Sequence, residues 1–187
     1  MEHQYKLAVY IGRFQPYHRG HYQTLMEGFK LAPKVLVLVG SIYKERTLKN
    51  PFFFEERKQM ILDSVVPPTS VHSLKVESII EYPSDVVWAN NVDDIVKKYE
   101  KYNDRITLIG DYTDPDSKYI DLFGWTISSV ANIAGVHATA IRSLYFSSKL
   151  DHIKSMIPES TYQFLFKFRL SNPEWSRLCG LYSEEKC

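Results

Sequence analysis

Cysteine is almost absent from this chain of 187 residues: Cys179 and Cys187 are its only two, both near the C-terminal end. They cannot staple a fold and offer no metal-ligand spacing, so a reducing, cytoplasmic setting is expected. An excess of either charge is missing too. Lys and Arg total 23 against 22 Asp and Glu, a net charge of +1, so nothing in the charge balance points to nucleic acid or to an anionic membrane surface. No apolar run approaches the roughly 18 residues of a membrane helix. The opening Met1-Glu2-His3-Gln4-Tyr5-Lys6 lacks the basic-then-apolar layout of a secretory leader. Eight Gly and nine Pro are too few for a collagen-like or low-complexity chain. What is present, 44% hydrophobic and 24% charged residues, suits one soluble globular domain with a proper core.

Short apolar runs closed by glycine alternate with helical periodicity. Lys6 to Ile11, ended by Gly12, and Lys34 to Val39, ended by Gly40, read as buried strands. Between them Tyr22, Leu25, Met26 and Phe29 fall at spacings of three and four, which predicts an amphipathic helix over 19–31. Strand, helix and strand make a βαβ unit. Further strands are expected over 74–80, 105–109 and 125–130, and helices over 54–66, 85–99, 138–146, 159–170 and 174–185. The fold class expected is therefore α/β, a doubly wound parallel sheet with C-terminal helices: a core over 1–157 and a helical extension of the same domain over 158–187. In such a sheet ligands lie beyond the carboxyl ends of the strands, where the strand order reverses.

The segment after the first strand is Gly12-Arg13-Phe14-Gln15-Pro16-Tyr17-His18-Arg19-Gly20-His21. His18 and His21 lie three apart where a helix begins, so their rings share one face. The helix N-terminus, with its unpaired N–H groups and positive dipole end, favours phosphate there. Two imidazoles, the Arg13 guanidinium and a helix start suit charge stabilisation on a phosphoryl group and its leaving pyrophosphate. A metal site is the weaker reading, because no third Cys, Asp or Glu ligand lies nearby. No G-x-x-x-x-G-K-[ST] phosphate loop occurs.

This string resembles the H-x-G-H signature of the nucleotidyltransferase superfamily. In its full length it is similar to the archaeal-type nicotinamide-nucleotide adenylyltransferases, including the version fused to a Nudix domain in some bacteria. The likeness continues along the chain. Gly40-Ser41, then Arg46, Lys49, Asn50-Pro51-Phe52 and Glu56-Arg57 match a second stretch, in which Asn50 is expected to cap a helix with Pro51 at its first position. Two of Phe52, Phe53 and Phe54 are expected in the core. Asp85 and Trp88 match an acidic residue and a tryptophan that recognise the mononucleotide: an indole face suits a cationic pyridinium ring, and a carboxylate suits its carboxamide. Gly110-Asp111 opens a loop reaching Tyr119, and His137-Ala138-Thr139-Ala140-Ile141-Arg142 resembles the superfamily's S-x-T-x-x-R. The chain departs from the pattern at Phe53, where a hydroxyl is usual, at Thr113, where a lysine is usual, and at His137-Ala138 in place of Ser-Gly.

The resemblance implies a Rossmann-like nucleotidyltransferase that joins ATP and nicotinamide mononucleotide to give NAD and pyrophosphate, with Mg²⁺ carried mainly by the ligand's phosphates. It implies catalytic roles for His18, His21, Arg13 and Arg142. ATP and its phosphates fall to Gly12, Arg13, Phe14, Gly20, Gly110, Asp111, Thr139 and Arg142, and the mononucleotide to Ser41, Lys49, Asp85 and Trp88. No nucleic-acid or membrane partner is expected; a homo-oligomer and a fused Nudix domain are left open, though no Nudix signature is present. Two other readings also stay open on these residues. One is transfer to another phosphate acceptor, such as pantetheine phosphate or flavin mononucleotide. The other is a sensor that binds nucleotide without turnover.

Overall fold

The computed structural model describes residues 3–42, 45–69, 72–110, 115–131 and 136–186. Five strands, β1 (Leu7–Gly12), β2 (Lys34–Val39), β3 (Ser73–Ser78), β4 (Ile106–Gly110) and β5 (Thr126–Ser129), form one sheet in the order β3-β2-β1-β4-β5. Every neighbouring pair is parallel, with Val9 opposite Leu36 on one side and Leu108 on the other. The chain runs outward from β1 through β2 to β3, then returns to lay β4 against the opposite edge of β1. The strand order therefore reverses between β1 and β4, the place where parallel α/β sheets put their ligand chemistry.

The helices are α1 (Arg19–Leu31), α2 (Phe54–Asp63), α3 (Asp85–Val96), α4 (Ala138–Phe146), α5 (Glu159–Ser171) and α6 (Glu174–Lys186). Where they differ from the periodicity, local hydrogen bonding is the reason. α2 stops at Asp63 rather than Val66, because the Ser64 and Val65 N–H groups fold back to Ile61 and Leu62 ahead of Pro67. α3 stops at Val96, because Lys98 and Tyr99 close tight turns onto Ile95 and Val96. Asn50 does not cap a helix. α2 starts four residues later, with extended Phe53 at its N-cap.

The chain divides into two compact units. The first comprises Met1–Arg13, Gln23–Ile42 and Pro67–Asn132 and holds the whole sheet; the second comprises Phe14–Tyr22, Tyr43–Val66 and Ile133–Cys187. In the first, Val9, Ile11, Leu36, Leu38 and Leu108 meet Ala89, Val92 and Val96 of α3 in one apolar cluster. The continuous apolar runs of β1, β2 and β4 follow from burial on both faces. α1 lies close to the sheet at Gly28, where an added Cβ would stand 2.7 Å from Ile109 Cδ1. In the second unit Phe52 packs edge-on against Phe164 and Phe168 and near Tyr145, whose hydroxyl donates to the Leu165 carbonyl at 2.8 Å. Phe52 alone of the three consecutive phenylalanines is in the core; Phe53 is 38% exposed and Phe54 half-buried.

Candidate active site

His18 precedes the first helical residue of α1, Arg19, and so occupies its N-cap, with His21 at the third helical position. The His21 backbone N–H donates to His18 Nδ1 at 3.4 Å, and the His18 backbone N–H donates to His21 Nδ1 at 3.3 Å. This is a reciprocal capping box built from two imidazoles instead of Ser and Glu. The rings stack with centroids 3.6 Å apart and planes 19° from parallel.

A backbone N–H can only donate, so both Nδ1 atoms are acceptors, and each neutral ring carries its proton on Nε2. Charge on the rings is disfavoured. Burial, with a smaller contribution from nearby His137, lowers the His18 pKa to about 4. Burial, and then His18 itself, holds His21 well below the usual histidine range. At neutral pH the pair is thus two neutral Nε2–H donors on one helix start, where the dipole already favours an anion.

The preceding loop is held under backbone strain. Buried Phe14 has φ of 52°, a left-handed conformation that costs a non-glycine residue on the order of 1 kcal/mol or more. Its ring meets His21 edge-on at 4.8 Å. Gln15, 2% exposed, donates from Nε2 to the Phe52 carbonyl at 2.9 Å and accepts the Phe52 N–H on Oε1 at 3.0 Å. Its own carbonyl accepts Nη1 of Arg142 at 2.8 Å, and Nη2 of Arg142 donates to Thr139 Oγ1 at 3.1 Å. The structure thus brings together the loop with the histidines, the Asn-Pro-Phe turn, and the Thr139/Arg142 pair. Arg142 is the fifth residue of α4, just past its first turn, and His137 is the exposed N-cap. Gly20 is buried and Lys49 is exposed.

Arg46 serves architecture. Its buried guanidinium makes a two-point bridge to Glu56 at 2.6 and 2.8 Å, donates to the Pro51 carbonyl, and lies 3.8 Å from the centre of the Phe53 ring. With Glu45, Phe53, Glu174 and Arg177 it lines an open cleft of about 480 Å³ that includes none of the residues given a catalytic or binding role from the sequence.

In the first unit, Ser41 follows β2 in a left-handed conformation, φ 54°, with its hydroxyl donating to Glu81 Oε1 at 2.7 Å. Glu81 was not among the expected residues. Its partner lies 40 positions upstream, a distance no local pattern bridges. Asp85 is the exposed first residue of α3, and Trp88, one turn on, is half-buried. The indole packs edge-on against Tyr119 at 5.5 Å and tilted against Phe123 at 5.9 Å, so part of its surface belongs to the apolar cluster. Gly12 ends β1 and accepts the Gly40 N–H on its carbonyl; Arg13 is exposed. Gly110 ends β4, with no heavy atom within 4 Å of where a Cβ would sit. Asp111, Thr113 and Asp114 lie outside the described residues. Among the described residues no three His, Cys, Asp or Glu side chains converge as a metal site, and no helix is long and apolar enough to cross a membrane.

A parallel five-stranded sheet whose first crossover helix opens on an H-x-G-H imidazole pair defines a nucleotidyltransferase. The chain belongs to the cytidylyltransferase-like family, which matches residues 9–144. It is 34% identical over 171 residues to the nicotinamide/nicotinic acid mononucleotide adenylyltransferase of Acinetobacter baylyi, covering 89% of this chain and 88% of that protein. It is 36% identical over 96 residues to the nicotinamide-nucleotide adenylyltransferase of Thermococcus sibiricus, half of each chain. The crystal structure of a bifunctional NMN adenylyltransferase/ADP ribose pyrophosphatase from Francisella tularensis superposes with a TM-score of 0.81 at 30% identity, covering 94% of this chain and 53% of that one. The chain therefore spans about half the length of that solved relative. A second structure of the Francisella protein contains AMP and a manganese ion.

Proposed function

We propose that the chain catalyses adenylyl transfer from ATP to nicotinamide mononucleotide, releasing NAD and pyrophosphate. The observation that carries this reading is the interlocked His18–His21 pair, with both Nδ1 atoms accepting backbone N–H groups and the two rings stacked on the first turn of α1. An oxygen of the mononucleotide's 5′-phosphate attacks the α-phosphorus of ATP, and the bond from that phosphorus to the bridging oxygen of the pyrophosphate breaks. The nucleophile is already an anion, so no general base is needed; positioning and charge stabilisation do the work.

In this reading His18 and His21 donate to the transferring and leaving phosphates. Arg13, Thr139 and Arg142 are assigned to the triphosphate, and Gly12, Phe14, Gly20, Gly110 and Asp111 to ATP with them. Ser41, Lys49 and Trp88 take the mononucleotide. Both Glu81 and Asp85 can accept the carboxamide N–H; Glu81 has the firmer position, because the Ser41 hydroxyl holds it. ATP enters as its Mg²⁺ complex, the ion carried by phosphate oxygens. A cytoplasmic location fits these substrates.

The test is chromatographic. ATP, Mg²⁺ and nicotinamide mononucleotide are mixed with the protein, and NAD and pyrophosphate are measured. Nicotinate mononucleotide, pantetheine phosphate and flavin mononucleotide are run in parallel. NAD in stoichiometric yield with pyrophosphate supports the reading. Preferential turnover of another acceptor replaces it, and binding of ATP without any product makes the chain a nucleotide sensor.

A further inference from the structure

Gln15 belongs to no role assigned so far, yet its bonds reach two distant segments of the chain. It is 2% exposed, and both ends of its side-chain amide are satisfied by one residue, Phe52, in the two-point pattern that adjacent strands use. Its carbonyl meanwhile accepts Arg142 Nη1 at 2.8 Å, across 127 positions of chain. The residue before it, Phe14, is held in the left-handed region, and a strained conformation persists only where its surroundings over-determine it. The amide clamp is a restraint of that kind. A loop free to relax at Phe14 would swing the Gln15 carbonyl, and with it a protein oxygen that orients the Arg142 fork.

We infer that Gln15 is a positioning residue for adenylyl transfer: its side chain, clamped on Phe52, sets the loop so that its carbonyl aims the Arg142 guanidinium at the triphosphate. This deepens the proposed function and rests on it for the role of Arg142. The clamp acts on ATP through Arg142, so its loss belongs in the ATP-dependent parameters rather than in those of the acceptor.

Gln15→Met keeps the side-chain length and removes both amide bonds; Gln15→Asn is the milder variant, one methylene too short to span both Phe52 groups. Each is made alone and in an Arg142→Ala background, with near-ultraviolet circular dichroism to establish folding. The readout is kcat/KM for ATP, together with the dissociation constant for a non-hydrolysable ATP analogue. In the otherwise native protein Gln15→Met is expected to cost about tenfold or more in kcat/KM for ATP, with the KM for the mononucleotide unchanged within about twofold. In the Arg142→Ala background the same change is expected to cost little more, since the group it positions is gone.

An equal further loss in both backgrounds overturns the proposal, as does full ATP-dependent activity in folded Gln15→Met. Failure of both Gln15 variants to fold also overturns it, because the residue then serves the fold alone. Should the native protein bind the analogue but form no product with any acceptor, the functional reading fails by itself, and the same cycle is read in the dissociation constants.

Discussion

A histidine can meet a phosphate as a cation or as a neutral donor, and the backbone of α1 decides between the two. Each Nδ1 of the stacked pair accepts a backbone N–H, and burial resists a charge on either ring. His21→Ala therefore removes one Nε2–H donor and one capping acceptor together. Turnover is expected to fall by about 10²-fold or more, the scale of losing one transition-state donor. Stability should drop by only about 1 kcal/mol, the scale of losing a cap. Steady-state kinetics beside urea unfolding separate the two effects; near-native turnover would remove His21 from the chemistry.

The same rings set a pH dependence of folding. In the unfolded chain they titrate near 6.5, whereas in the folded protein His18 titrates at about 4 and His21 also lies well below its usual range. The unfolded state then binds more protons as the pH falls below about 6.5, so this contribution to stability is full above that value and is lost progressively toward pH 4. Urea midpoints measured from about pH 7 to about pH 4.5 should decline across that window. A His18→Asn/His21→Asn double variant should decline less steeply.

At the scale of elements, packing and polar satisfaction set two further expectations. Gly28 lets α1 approach the sheet, with Ala8 and Val35 side chains 3.7 Å from where a Cβ would lie and Ile109 nearer still. A helical Gly→Ala change alone favours the helix by about 1 kcal/mol, but Gly28→Val forces three carbons into occupied space. Overpacking wins, and a loss of about 2 kcal/mol or more is expected in chemical denaturation. In α5, Thr161 is fully buried and its Oγ1 has no hydrogen-bond partner among the described residues. Thr161→Val keeps the shape and removes the unsatisfied hydroxyl, so a gain of about 1 kcal/mol is expected in the same assay. An unchanged or lower midpoint would contradict it.

For the molecule as a whole, binding and folding are linked. A ligand that engages only the folded state stabilises it by about 2.7 kcal/mol at a free concentration 100 times its Kd. A non-hydrolysable ATP analogue with Mg²⁺ should raise the unfolding midpoint accordingly, and Arg142→Ala should abolish most of the rise at the same concentration. A thermal scan with and without the analogue checks this.

Much of the architecture was legible in the chain because its causes are local. α1, β2 and α4 stand where the apolar spacing and glycines put them, and β1 is displaced by a single residue. The expected helices overrun by three residues each past Asp63 and Val96, where apolar periodicity continues after the backbone has already turned. At the site, the imidazole spacing and the Thr139/Arg142 spacing were readable for the same reason: both pairs lie within one turn of a helix. Phe53 was not readable, because aromatic character alone gives no sign that Arg46 will hold its ring at the surface.

By itself the sequence determined the alternation of strands and helices, the imidazole pair and the family, since periodicity, capping and short motifs act over a few residues. Only the tertiary structure decided that Gln15 meets Phe52 37 positions away, that Ser41 turns to Glu81, and that Arg142 anchors on the Gln15 carbonyl. Those partners come together through the packing of separate segments, and buried hydrogen-bonding groups take whichever partner that packing brings within reach.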